Sequence, residues 1–275
     1  MVLAIFAVGA VGYQVLFGAG LAERFRVVSV AGDVRHEHAD GASEAARAGS
    51  ALLAGDRIVS GDGGQAVLGL GEGTRVAVDA RSSVKVLGIS DDGVRVELED
   101  GRVTATVRPG SGVLAVRAGD QELTADDAEF TVARGDDGTV AAATTRGTVR
   151  VAGASDLEAG EELVAAPGGS PLRAPVSDAL LLQVAWPASG RTREEEVEVS
   201  GQTQPGATFT VQGGARPVSG RADASGRFVV RVPLSEGGNR LLVKARSVLG
   251  REAEVAHAEV VRDTRPPSVG VTLEF

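Results

Sequence analysis

GSALLAGDRIVSGDGGQAVLGLGEGTRVAVDARSSVKVL, residues Gly49 to Leu87, decides the fold class. Gly55-Asp56 and Gly61-Asp62 punctuate it as turns, and between them lie the short apolar runs Arg57-Ile58-Val59 and Ala66-Val67-Leu68. Val76, Val78, Val84 and Val86 alternate with Arg75, Ala77, Asp79 and Lys85. Apolar residues at every second position give a strand one buried and one solvated face. The stretch therefore predicts strands and tight turns, a rhythm that the following hundred or so residues repeat.

Downstream, Asp91-Asp92-Gly93 and Asp100-Gly101 each predict a hairpin, followed by the alternating sets Val94, Val96, Leu98 and Val103, Ala105, Val107. Pro109-Gly110 turns the chain into Val113–Val116, and Asp136-Asp137-Gly138 predicts a further hairpin before Gly147–Val151. These acidic turns lack the spacing and distal glutamate of an EF-hand calcium loop, and Asp-Gly suits the positive φ of a hairpin. Gly69–Gly73 has phosphate-loop glycines but sits between strands, so it reads as a hairpin turn.

The order Leu52, Gly55, Asp56, Ile58, Ser60, Gly61, then Gly71, Gly73, Thr74, Val76 and Ser83, resembles the core of a FecR domain. Phe25–Val34 resembles the opening of that family, and Gly147–Val151 with Leu157–Glu161 its close. Asp127–Val132 keeps the family's Phe and Val but not the Gly-Thr before them. The resemblance implies a β-solenoid or stacked-sheet domain over residues 26–169, acting through protein partners. FecR proteins that regulate sigma factors carry a cytoplasmic segment before their membrane helix. The sequence begins at the apolar segment, so the resemblance favours a standalone envelope module over a sigma-factor regulator.

Met1–Ala22 has no charged residue and is long enough at about 1.5 Å per residue to cross a hydrocarbon core of about 30 Å. It predicts a transmembrane helix or an export signal, and the two readings stay open. Arg24 and Arg26 follow the segment, which by charge bias alone would hold the chain inside; long domains translocate largely regardless of such bias. The expected location is the inner membrane with the bulk of the chain in the periplasm, or secretion after cleavage.

Pro167–Pro175 is rich in Pro and Gly, and residues 170–179 are expected to be a linker. A second strand-and-turn pattern fills 180–263, with 264–275 as a tail. Val197, Val199, Gly201, Pro205-Gly206-Ala207, Gly226, Phe228 and Gly237-Gly238-Asn239-Arg240-Leu241 resemble bacterial Ig-like modules of the glucodextranase-B type. The expectation is an Ig-like β-sandwich. Arg191–Glu196 reads as a solvated connector.

Aromatic residues make up 3% of the chain, net charge is −9, cysteine is absent, and Lys and Arg form no stripe. Nucleic acid therefore has no electrostatic footprint to bind. Disulfides and thiolate chemistry are excluded. Sugar stacking has Trp186, Tyr13 and seven Phe to draw on, which makes a peptidoglycan or glycan module the alternative reading. His36 and His38 share a strand face at i and i+2, with Asp33 and Asp40 nearby; without a third ligand of defined spacing they read as an exposed polar loop. His257 reads as a surface residue. No catalytic, cofactor or metal residue is assigned, no cofactor is expected, and the chain reads as a non-enzymatic scaffold or signalling module with an envelope protein as partner.

Overall fold

In the computed structural model, residues 25–177, 179–187 and 190–264 are described. The predicted membrane segment, residues 1–22, and the tail beyond Thr264 lie outside them. Among the described residues no helix is long and apolar enough to cross a membrane, and every regular element is a strand. The chain divides into two compact units, residues 1–177 and 178–275.

The first unit begins with β1 (Phe25–Ala31), β2 (Val34–Glu37), β3 (Ser43–Ala45), β4 (Arg57–Ser60), β5 (Gln65–Leu70), β6 (Thr74–Val78) and β7 (Ser82–Ser90). It continues through β8 (Gly93–Val107), β9 (Val113–Ala118), β10 (Gln121–Ala125), β11 (Ala128–Arg134) and β12 (Val140–Val151). It closes with β13 (Leu157–Glu158), β14 (Glu161–Ala165) and β15 (Leu172–Pro175). These form two layers. One runs β1-β5-β6-β8-β11-β12-β14-β15, the other β3-β2-β4-β7-β8-β9-β10-β12.

Two long strands belong to both layers. The first half of β8 pairs with β7 and β9, and its second half with β6 and β11. Asp100-Gly101, expected to close a hairpin, is where β8 changes layer. Gly101 has φ +87°, and a Cβ there would come within 2.5 Å of the Arg81 carbonyl oxygen. A glycine inside a strand commonly marks such a bend. Pairing within the unit is antiparallel except for β9, which returns parallel to β8 with Val113 opposite Gly93. That return forms one coil of solenoid type within sheets otherwise built from antiparallel pairs.

Side chains of β1, β4 to β12 and their turns meet in one core of Val, Leu, Ala and Ile, with Phe25 and Phe130 its largest members. Small β-branched residues suit two closely packed sheets. The expected linker is corrected in part: Leu172–Pro175 is strand β15, hydrogen-bonded to β14. Its flanking prolines suit an edge strand, where no further ladder partner needs an N–H. The small polar stretch Gly41–Ser50 contains the short strand β3.

The second unit comprises β16 (Gln183–Ala185), β17 (Gly190–Thr192), β18 (Glu196–Gln202), β19 (Thr208–Gln212), β20 (Val218–Arg221), β21 (Arg227–Pro233), β22 (Gly237–Arg246) and β23 (Glu252–Arg262). One sheet has the order β16-β18-β21 and the other β17-β23-β22-β19-β20. Val199, Phe228 and Val232 of the first share a core with Phe209, Val211, Leu241 and Val243 of the second. Phe209 and Phe228 stack across it at 4.4 Å. Part of the expected connector is strand β17: charged side chains can face water while their backbone pairs with a neighbour, and Arg191 and Thr192 lie beside Val261 and Arg262.

Candidate functional site

The motif residues of the first unit are its framework. Gly55 has φ +96°, and a Cβ there would meet that of Ala39 at 2.7 Å, so the turn admits only glycine without displacement. Asp56, buried, follows as the turn's cap: Oδ2 accepts from Leu53 N–H at 2.9 Å and Oδ1 from Ala39 N–H at 3.1 Å. Ile58 and Leu52 enter the core. The Ser60 hydroxyl donates to backbone carbonyls and accepts from Ser82 N–H at 2.9 Å.

Asp56 Oδ2 also lies 2.9 Å from His36 Nε2. His36 is 1% exposed, which corrects the expected exposed loop. It sits within β2, whose alternation turns Val34 and His36 inward and leaves Arg35 exposed. Burial pushes the Asp56 carboxyl up, but hydrogen bonds from Leu53, His36 and Ala39 outweigh it and hold its pKa below the ordinary carboxylate range. The ring of His38 lies 4.1 Å from that of His36, and Glu44 stands opposite His36 across the β2–β3 pair. Glu44 is the residue that sequence reasoning missed. Only the strand register, invisible in the spacing, brings it there.

The outward face of the same layer carries a charged ladder. Arg57 lies opposite Lys85, Lys85 opposite Glu97, Glu97 opposite Arg117 and Arg117 opposite Glu122. Arg57 donates to Glu99 at 2.6 and 2.8 Å and to Glu37 at 3.1 Å, while the Ser83 hydroxyl donates to Glu99. The Arg57 guanidinium holds the Glu99 carboxyl below its ordinary range against the cost of burial, with Ser83 assisting. Glu99 and Glu37 in turn raise the pKa of Arg57.

Beside this ladder the face opens into a groove of about 630 Å³. Its origin is local. A bulge between Val86 and Gly88 leaves Leu87 without an opposite residue, and Arg95 stands between Gly88 and Ala115, which offer almost no side chain. Its lining is apolar at Leu87, Val113 and Ala115 and charged at Arg95, Arg117, Asp92 and Glu122. Arg117 pairs with Glu97 at 2.9 Å and Arg95 with Glu122 at 3.6 Å. The lining thus combines apolar contact area with charges of both signs.

The remaining sequence candidates take structural places. Asp91-Asp92 closes the β7–β8 hairpin and Gly71–Gly73 the β5–β6 hairpin. Asp137 caps its own turn through Thr139 N–H and hydroxyl at 2.9 Å. Asp33 accepts Gly61 N–H through its backbone, and Asp40 caps the β2–β3 turn through Ala42 N–H. Trp186 packs against the second core. Tyr13 and the side chain of His257 lie outside the described set.

A family model described as FecR protein matches residues 56–150, all within the first unit. No curated protein matches the chain. Two crystal structures of a "putative anti-sigma factor" from Parabacteroides distasonis ATCC 8503, at 1.65 and 2.50 Å resolution, are each 21% identical to it with a TM-score of 0.39. Each match covers 43% of this chain and 59% of the other, so the chain spans less than two thirds of those proteins' length.

Proposed function

We propose that the protein is a non-enzymatic envelope module that binds another protein through the groove bordered by Leu87, Arg95, Ala115 and Arg117. The observation that carries this reading is the division of labour in residues 56–150. The residues shared with the FecR pattern are spent on turns, caps and core, while the outward face of the same strands keeps apolar and charged side chains along one groove. The apolar lining supplies contact area and the charges supply register and discrimination between partners. Signalling on partner binding, as in sigma-factor regulation, is the narrower form of the proposal.

In this reading residues 1–22 anchor the chain in the inner membrane and the two units lie in the periplasm. The second unit serves as an Ig-like spacer. Its strand orders support that assignment: the first strand is split, with β16 on the three-stranded sheet and β17 running parallel to β23 on the other, as in sandwiches whose opening strand switches sheets. Affinity capture of the full chain from detergent-solubilised envelopes is the test. The expected result is a stoichiometric protein partner that the Arg95→Glu variant fails to retain. Recovery of no such partner, or equal recovery by the variant, would refute the reading.

A further inference from the structure

We propose that His36, His38 and Glu44 form a binding site for a divalent transition-metal ion of the zinc class, with the ring of His36 held by its hydrogen bond to Asp56. The inference is independent of the partner groove. One nitrogen of each imidazole and a carboxylate oxygen of Glu44 all lie within 4.8 Å of one another. The three come from two paired strands and the residue just after β2, so the hairpin fixes their approach.

His36 supplies the second, independent observation. Its Nε2 faces the Asp56 carboxylate, an acceptor only, so that nitrogen carries the proton. Its Nδ1 is buried and without a hydrogen-bond partner, and in the neutral ring with Nε2 protonated this atom carries the lone pair. An orphaned buried polar atom costs about 1–3 kcal/mol, and a bound cation would satisfy it. A carboxylate behind a ligating imidazole is the usual way proteins fix the tautomer and ring orientation of a metal-binding histidine. Asp56 is in turn held by two backbone N–H groups, so it is placed before any metal arrives.

The donor set decides the metal. Two imidazoles and one carboxylate suit zinc, nickel or copper, whereas calcium and magnesium prefer all-oxygen shells. The His38 and Glu44 side chains are 36% and 53% exposed, so the ion would sit at the surface with a coordination position left for water or a partner's side chain. The neighbouring contacts are loose enough to rearrange: His38 Nε2 is 3.7 Å from Glu44 Oε1, and His38 Nδ1 is 3.8 Å from Asp56 Oδ1.

The test is isothermal titration calorimetry of untagged full-length protein in detergent, freed of metal by chelator and titrated with zinc ion alone. Magnesium and calcium serve as controls. The expected result is one zinc ion per chain, and a loss of affinity of about tenfold or more in His38→Ala and in Glu44→Gln. Both changes are at exposed side chains, so the metal-free melting temperature should stay close to that of the parent. Absence of zinc binding, parental affinity in both variants, or loss of binding in His257→Ala instead would each overturn the proposal.

Discussion

The two units bury their polar groups in different ways. In the first, the buried pair is ionisable: Asp56 holds His36 and leaves one ring nitrogen unsatisfied, and the half-buried Glu99 answers to Arg57. In the second, the most deeply buried polar group among the described residues is the neutral Asn239, 1% exposed, whose Nδ2 hydrogens face the carbonyls of Ser235, Gly237 and Val260 and whose Oδ1 accepts from Ser235 N–H. A neutral amide with its hydrogen bonds closed locks a corner and does nothing else. An ionisable pair with an unsatisfied ring nitrogen is the feature on which the proposed metal site rests.

The largest expected effect tests the core of the first unit. Phe130→Ala removes one of its two phenylalanines and should cost about 3–5 kcal/mol. Hydrogen exchange on the full chain should show protection falling along β8, β11 and β12. Asn239→Ala should cost about 3 kcal/mol in the second unit, because the Ser235 N–H and carbonyl and the neighbouring carbonyls lose the contacts of a buried amide. Its exchange should quicken around Ser235 and Val260, to the same extent at pH 5 and pH 7. Gly101→Ala should cost about 2 kcal/mol through strain at positive φ, read as a lowered melting temperature with loss of protection on both halves of β8.

Acid should separate the units by a smaller margin. Glu99 has a folded-state pKa below its unfolded one, so its pairing stabilises the first unit above the ordinary glutamate range near about 4.3 and is lost as pH falls through that range and below it. The melting temperature of the first unit should therefore fall between about pH 5 and pH 3, and Glu99→Gln should lower the neutral-pH value while flattening that decline. The smallest effect belongs to Val229, 65% exposed on β21: Val229→Thr should change stability by less than about 0.5 kcal/mol in chemical denaturation.

Much of the fold was legible because alternation and turn chemistry are local. Val76, Val78, Val84 and Val86 all enter the core that their spacing predicts. The same dipeptide signal misled at Asp100-Gly101. Asp-Gly requests positive φ, and both a hairpin and a layer-crossing bend grant it; only the pairing of β8 with four neighbours distinguishes them. The site was harder. Period-two spacing places His36 and His38 on one face, but the partner of His36 is Asp56, 20 residues away in sequence. Glu44 joins them only through the register of β2 with β3. The groove has no motif at all, since it is made by a bulge and two small residues.

Partner binding is proposed for the outward face of the first unit and not for the second. Site-specific photo-crosslinking in intact envelopes tests it most directly, with the photoreactive residue placed at Arg95 of the groove lining in one variant and at the exposed Arg231 of β21 in another. A discrete protein adduct is expected from position 95 and none from position 231. An adduct from 231 alone, or the same adduct from both, would contradict it.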